Sequence, residues 1–111
     1  MNKFELFTLI FYSLDIFYDS NPSEELGQFL SEMSPFTFKQ TCSADPAVFA
    51  EFCDFIGKDK VELDESYDLA IQYIESIEEI DLKPAFDSMD QDKWIEGCKK
   101  YLATDHKGQD I

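Results

Sequence analysis

Residues 2–19, NKFELFTLIFYSLDIFYD, decide the fold of this chain. At about 100° per residue, their apolar side chains spread over roughly 220° of a helical circumference. These side chains are Leu6, Phe7, Leu9, Ile10, Phe11, Leu14, Ile16, Phe17 and Tyr18. A helix on the surface of a bundle has a much narrower apolar face. The stretch therefore predicts an N-terminal helix that other helices largely enclose.

One narrow stripe of the same helix is polar, at alternating spacings of three and four residues. It consists of Glu5, Thr8, Tyr12, Asp15 and Asp19. The stripe can be the side of the helix that faces water. It can also be a docking strip for a basic partner, because an aromatic side chain between carboxylates is a favourable contact point. On the second interpretation, the candidate partner-binding residues are Glu5, Tyr12, Asp15 and Asp19.

Capping signals place the remaining helices along the chain. Asn2 and Glu5 have the spacing of a capping box for the first helix. Later starts combine an Asp or Asn cap with a proline or an apolar stripe. They predict helices over residues 22–33 after Asn21, 46–56 after Asp45, 65–79 after Asp64 and 91–102 after Asp90, with one short turn near Pro84 carrying Leu82 and Phe86 inward.

These elements indicate an all-α fold, a single-domain bundle of about five amphipathic helices around a largely buried N-terminal helix. Residues 1–103 are the predicted domain, and residues 104–111 are a predicted flexible tail with a solvated His106. The sequence leaves the conformation of two connectors undecided. In residues 35–44, Phe36 and Phe38 fit an extended piece or a helical turn, and extended residues around Val61 have no evident strand to pair with.

The composition excludes several classes of partner. Asp and Glu total 24, Lys totals nine, Arg is absent and the net charge is -15. Nucleic acid and anionic membrane surfaces would repel such a chain. The charge favours solubility or fast association with a basic protein. Cys42, Cys53 and Cys98 form an odd set without a C-x-x-C motif, which is typical of a reduced, cytoplasmic protein, and no signal peptide is expected.

The sequence offers no recognisable catalytic arrangement, so we expect a protein that is not an enzyme. The single His lies in the tail, which leaves no nucleophile with a histidine base on a rigid element. No phosphate-binding glycine loop is present, and the cysteines lack zinc-ligand spacing. Asp87, Asp90, Asp92 and Glu96 lack the glycine of a calcium loop and are better explained by helix capping. We therefore predict no cofactor and no metal.

The function expected from these features is a non-catalytic acidic binding protein with a basic protein partner. Inhibitors and immunity proteins that cover nucleases are examples by physical analogy. A structural or adaptor subunit, in which an apolar patch such as Phe36 and Phe38 joins copies of this chain or other chains, is one alternative. A carboxylate-based metal protein or enzyme is another. The oligomeric state stays open.

Overall fold

The computed structural model describes residues 1–37, 39–87 and 89–109, and it is a small all-α single-domain bundle. No strand occurs within these ranges. The helices are α1 Lys3–Ser20, α2 Glu24–Met33, α3 Pro46–Ile56, α4 Leu63–Ser76, α5 Pro84–Asp87 and α6 Gln91–Leu102. The predicted fold class is confirmed. No helix in the described part of the chain is both long and apolar enough to cross a bilayer.

α1 is the element on which the others pack. It contacts α2, α3, α4 and α5, and its residues from Phe4 to Phe11 are all buried, as is Leu14. Phe7 makes edge-to-face contacts with Phe49 and Phe52, each with ring centroids 5.1 Å apart. Contacts of this geometry contribute about 0.5–1.5 kcal/mol each beyond the burial of area. The predicted enclosure of α1 ends after Leu14, because Ile16 is 70% exposed.

Three predicted N-caps are confirmed, namely Asn2, Asp45 and Asp90. The Glu5 N–H donates to Asn2 Oδ1 and the Asn2 N–H donates to Glu5 Oε1, each at 2.8 Å. Asp45 caps α3, Asp90 caps α6, and Gly57 ends α3 in the left-handed conformation at φ 72°. The short turn α5 carries Leu82 and Phe86 into the core as predicted.

Two predicted helix starts are wrong by two residues. Ser23, and not Asn21, caps α2, because the Asn21 N–H closes the end of α1 on the Phe17 carbonyl at 2.9 Å. α4 begins at Leu63, before the predicted cap Asp64, and the Glu65 carboxylate accepts from the Glu62 N–H at 3.0 Å. The same helix ends at Ser76 and not at residue 79.

The connector around Val61 pairs with the residues before α1. The backbone nitrogen of Met1 donates to the Val61 carbonyl at 2.9 Å, and the Val61 N–H donates back to Met1 at 2.8 Å. The Lys3 N–H donates to the Asp59 carbonyl at 3.0 Å. These antiparallel contacts supply the pairing that the sequence did not reveal, and they bury Val61. In the other open connector, Phe36 lies in a turn and is 51% exposed, whereas Phe38 lies outside the described residues.

Residues 103–109, which belong mostly to the predicted flexible tail, lie against the beginning of α1. Asn2 Nδ2 donates to the Gly108 carbonyl at 2.8 Å, and Lys107 Nζ donates to the Pro35 carbonyl at 2.6 Å. The His106 ring contacts the Tyr101 ring at a tilt of 33° with centroids 4.2 Å apart, and only 6% of the His106 side chain is exposed. The prediction of a solvated His106 is wrong, because this segment covers α1 where no helix does.

Candidate functional site

The structure does not bring the four sequence-predicted partner-binding residues together at one surface. Glu5 is 7% exposed and lies beneath His106. Tyr12 is 38% exposed, Asp15 is half-buried and Asp19 is exposed. The polar stripe of α1 is thus divided into a covered first half and an open second half. Among the four, Tyr12, Asp15 and Asp19 retain a surface position.

The covered half holds a buried pair of titratable groups. His106 Nε2 lies 2.5 Å from Glu5 Oε2, and His106 Nδ1 lies 2.7 Å from the Thr104 carbonyl oxygen. Because a carbonyl oxygen only accepts hydrogen bonds, Nδ1 is the donor there. The Glu5 carboxylate and the His106 ring are thus in direct contact. This contact holds the segment of residues 103–109 against α1.

Beyond the covered half, an apolar groove runs between α1 and α6. Its volume is about 450 Å³. Its walls include Leu9, Tyr12 and Ile16 of α1, and Trp94, Gly97 and Tyr101 of α6. Burial raises the pKa of Tyr101 to about 12. We call this depression the α1–α6 groove.

A second surface, formed where α2, α3 and the end of α4 meet, is acidic. It consists of two depressions of about 480 and 290 Å³ that share Phe29, Glu32 and Glu79. The described residues that line it include no lysine. Its carboxylates are Glu24, Glu25, Glu32, Asp45, Glu51 and Glu79. We call this double depression the acidic cleft.

The floor of the acidic cleft is apolar and its carboxylates are not neutralised by the salt bridges seen elsewhere. Phe29, Val48, Ile77 and Ile80 supply the apolar surface. The four salt bridges that join described residues use Asp59, Glu65, Glu96 and Glu5. The negative charge of the cleft also affects the pKa of Tyr73, which lines it. Burial, and then the charge of Glu51, raise the pKa of Tyr73 to about 12.

Sequence reasoning missed the acidic cleft because its members come from three separate stretches. One signal was available in α2, whose apolar residues form a single stripe with Glu25, Gln28 and Glu32 pointing away from it. That pattern predicts an exposed acidic helix face. It does not show that Asp45 and Glu51 of α3 and its cap, and Glu79 in the connector after α4, lie beside it.

The thiol of Cys98 in the α1–α6 groove is not an activated nucleophile. Cys98 lines the α1–α6 groove and is fully buried, and this burial raises its pKa to about 11. A nucleophilic thiol requires the opposite shift. Within the described ranges, no group of three or more His, Cys, Asp or Glu side chains is placed to bind a metal ion.

The acidic cleft and the α1–α6 groove are thus the two surfaces from which a function has to be inferred. No family model, no curated protein and no solved structure matches this chain.

Proposed function

We propose that this protein is a non-catalytic binding protein that associates with a basic protein partner through the acidic cleft. The observation that carries the proposal is the composition of that cleft, in which six carboxylates surround an apolar floor and no lysine lines the surface. Inhibition of the partner, by covering its basic surface, is the activity that such binding would have.

The chemistry of the cleft suits long basic side chains. Lysine and arginine carry an apolar stem behind a charged end group, so the stem can lie on Phe29 and Ile80 while the end group meets the carboxylates. Burial of the stem contributes about 25 cal/mol per Å² of apolar surface. Arginine would also make two parallel hydrogen bonds to a carboxylate, which fixes its orientation.

The net charge of -15 supports the same partner class over longer distances. The field of a strongly charged protein steers an oppositely charged partner and raises the association rate. Salt screens this attraction, with a decay length of about 10 Å at 0.1 M ionic strength. Association with the proposed partner is therefore salt-sensitive.

The proposed location is the cytoplasm. Cys42, Cys53 and Cys98 are all free thiols. Free thiols persist in a reducing compartment, whereas extracellular proteins usually pair them.

The first experiment is capture of the partner by the immobilised protein from source-cell lysate at low salt, followed by elution with a salt gradient. The captured protein is then purified and titrated calorimetrically against wild type and three variants. The cleft variant carries Glu25→Gln, Glu32→Gln and Glu79→Gln. The control carries Asp64→Asn, Asp68→Asn and Asp92→Asn, which remove the same charge elsewhere. The third carries Asp15→Asn and Asp19→Asn on α1.

We expect one basic protein whose affinity falls at least about tenfold for the cleft variant, since each lost contact weakens binding by several tenths of a kcal/mol or more. The control should lose less than about threefold, through the general field alone. Equal losses for cleft and control variants would show that only net charge matters and would contradict a defined site. A loss confined to the Asp15/Asp19 variant would move the interface to α1. Capture of no basic protein would remove the basis of the proposal.

A further inference from the structure

The α1–α6 groove is a preformed depression whose walls are held by contacts outside it. Trp94 Nε1 donates to Ser66 Oγ at 2.8 Å, and the Tyr67 hydroxyl donates to the Met89 carbonyl at 2.8 Å. The Tyr101 ring is in contact with the His106 ring. A volume of about 450 Å³ lies within the range of small-molecule sites, which are mostly apolar and keep their shape without ligand.

Gly97 lines this groove without filling any of its space. It lies in the middle of α6, where glycine is among the least favourable residues. A Cβ atom built on Gly97 would meet no atom within 4 Å. Neither a close helix contact nor a positive φ angle therefore accounts for the glycine in the folded chain. Its effect is to leave space in the groove that any larger side chain would occupy.

Lys93 gives the groove its one charged lining residue among those described. In the described part of the chain its ammonium group takes part in none of the salt bridges or hydrogen bonds, although the protein carries 24 carboxylates. Among the other polar lining groups, Ser13 Oγ donates to the Leu9 carbonyl at 3.0 Å, and Tyr12 and Tyr101 contribute uncharged hydroxyls. Lys93 is thus the lining group that favours an anion.

We propose that the α1–α6 groove binds an amphiphile with one anionic head group and an apolar tail, such as a medium-chain carboxylate. The tail lies over Gly97 between Ile16 and Trp94, and the carboxylate meets Lys93. Transfer of the tail from water supplies most of the affinity, because it scales with the number of methylene groups buried. The charge of Lys93 selects an anionic head group over a neutral or a cationic one. This site is separate from the acidic cleft and does not depend on the proposed protein partner.

The protein carries its own probe for this site. Trp94 is the single tryptophan of the sequence and lines the groove, so its emission reports occupancy. Dodecanoate, added below its critical micelle concentration, should shift the emission of Trp94 in a saturable way. Dodecanol should bind more weakly, and dodecyltrimethylammonium at least about tenfold more weakly than the carboxylate. The cleft variant described above should bind dodecanoate as wild type does.

Three variants separate the head-group contact from the apolar contact. Lys93→Gln should lower the affinity for dodecanoate about tenfold and leave that for dodecanol unchanged. Lys99→Gln removes the same charge from the same helix outside the groove and should change neither. Gly97→Leu should abolish binding of both ligands by filling the groove. Because leucine is a better helix former than glycine, this variant should melt no lower than wild type, which separates blocked binding from unfolding.

Several results would overturn the proposal. One is the absence of a saturable change at Trp94 with dodecanoate. Another is equal affinity for the carboxylate and the ammonium amphiphile, which would mean that Lys93 selects nothing. Unchanged binding to Gly97→Leu would place the ligand elsewhere. A dimer in light scattering that Gly97→Leu converts to monomer, without dodecanoate binding in either form, would make the groove a contact between two copies of this chain.

Discussion

Cys98 illustrates how burial controls the chemistry of single residues in this protein. Its thiol lies between α6 and the core with no exposed surface, and the cost of placing a charge there raises its pKa from 9.0 to about 11. In the unfolded chain the same thiol ionises near its ordinary pKa. Between pH 9 and pH 11 the unfolded state has therefore lost a proton that the folded state still holds.

This difference predicts how stability changes in alkali. The free energy of unfolding contributed by the protonated Cys98 is fully present below pH 9 and is lost as the pH rises toward 11, because the unfolded state binds fewer protons in that window. Urea unfolding at pH 8 and pH 10.5 should show a smaller loss for Cys98→Ala than for wild type. Cys42→Ala, which removes a half-buried thiol, is the control. Parallel losses for all three proteins would contradict the prediction.

Single residues are also the scale at which sequence reasoning succeeds or fails for the helix ends. The sequence predicts Asp45 as a cap because Pro46 follows it, and Asp90 as a cap because it precedes the apolar stripe of α6. Between α1 and α2, both Asn21 and Ser23 can cap a helix. The choice depends on where α1 ends, since the Asn21 N–H is already bonded to Phe17. That end is set by packing, which local sequence does not show.

At the scale of elements, the segment of residues 103–109 acts as a cover for α1. Removing its ring through His106→Ala leaves the buried Glu5 carboxylate with the Asn2 N–H but without its second partner. A buried acceptor that loses its partner costs about 1–3 kcal/mol. We therefore expect His106→Ala to lower the free energy of unfolding by about this amount in urea titrations.

The neighbouring residue Asp105 provides the comparison, because it is exposed. Asp105→Ala should change the stability by less than about 0.5 kcal/mol. A double-mutant cycle that adds Glu5→Gln tests whether the effect runs through the pair. The absence of coupling between the changes at positions 5 and 106 would show that the segment contributes by covering surface alone.

Element types could be predicted well, whereas contacts between distant elements could not. The helical stripes of α3 and α6 follow from local spacing, and so does the capping of α1 by Glu5. The burial of Glu5 depends on a residue 101 positions away. The same applies to Val61, whose pairing partner Met1 lies 60 positions earlier. The residues around Glu5 and around Val61 have no local pattern that predicts which distant residue they contact.

At the scale of the whole molecule, the charge of -15 opposes the compact state. Folding brings 24 carboxylates into a particle with extents of 34 × 30 × 25 Å, so their mutual repulsion rises. Salt screens this repulsion. We expect the melting temperature to rise by about 3–6 °C between 10 mM and 500 mM sodium chloride, which corresponds to a gain of the order of 1 kcal/mol.

The variant with three neutralised carboxylates in the acidic cleft is the matched control for this effect. It has less repulsion to screen, so its melting temperature at low salt should exceed that of wild type and rise less with salt. A melting temperature that falls with salt would show that the four salt bridges outweigh the general repulsion.

The acidic cleft belongs to this largest scale, which is why sequence reasoning did not describe it. Composition suggested an acidic surface as the candidate feature. It assigned the surface to the α1 stripe, because one helix is the largest unit that periodicity describes. The acidic cleft instead joins Glu25, Asp45 and Glu79, which only the packing of α2 against α3 and the end of α4 brings together.

The central place of α1 has a consequence for the order of events during synthesis. α1 leaves the ribosome before every element that covers it, and its last covering residues, near His106, are made about a hundred positions later. At typical elongation rates of roughly 5–20 residues per second, the apolar surface of α1 waits for several seconds without its partners. Chaperones that hold exposed apolar helices would have this time to bind α1, because residues 103–109 can cover it only after they have been synthesised.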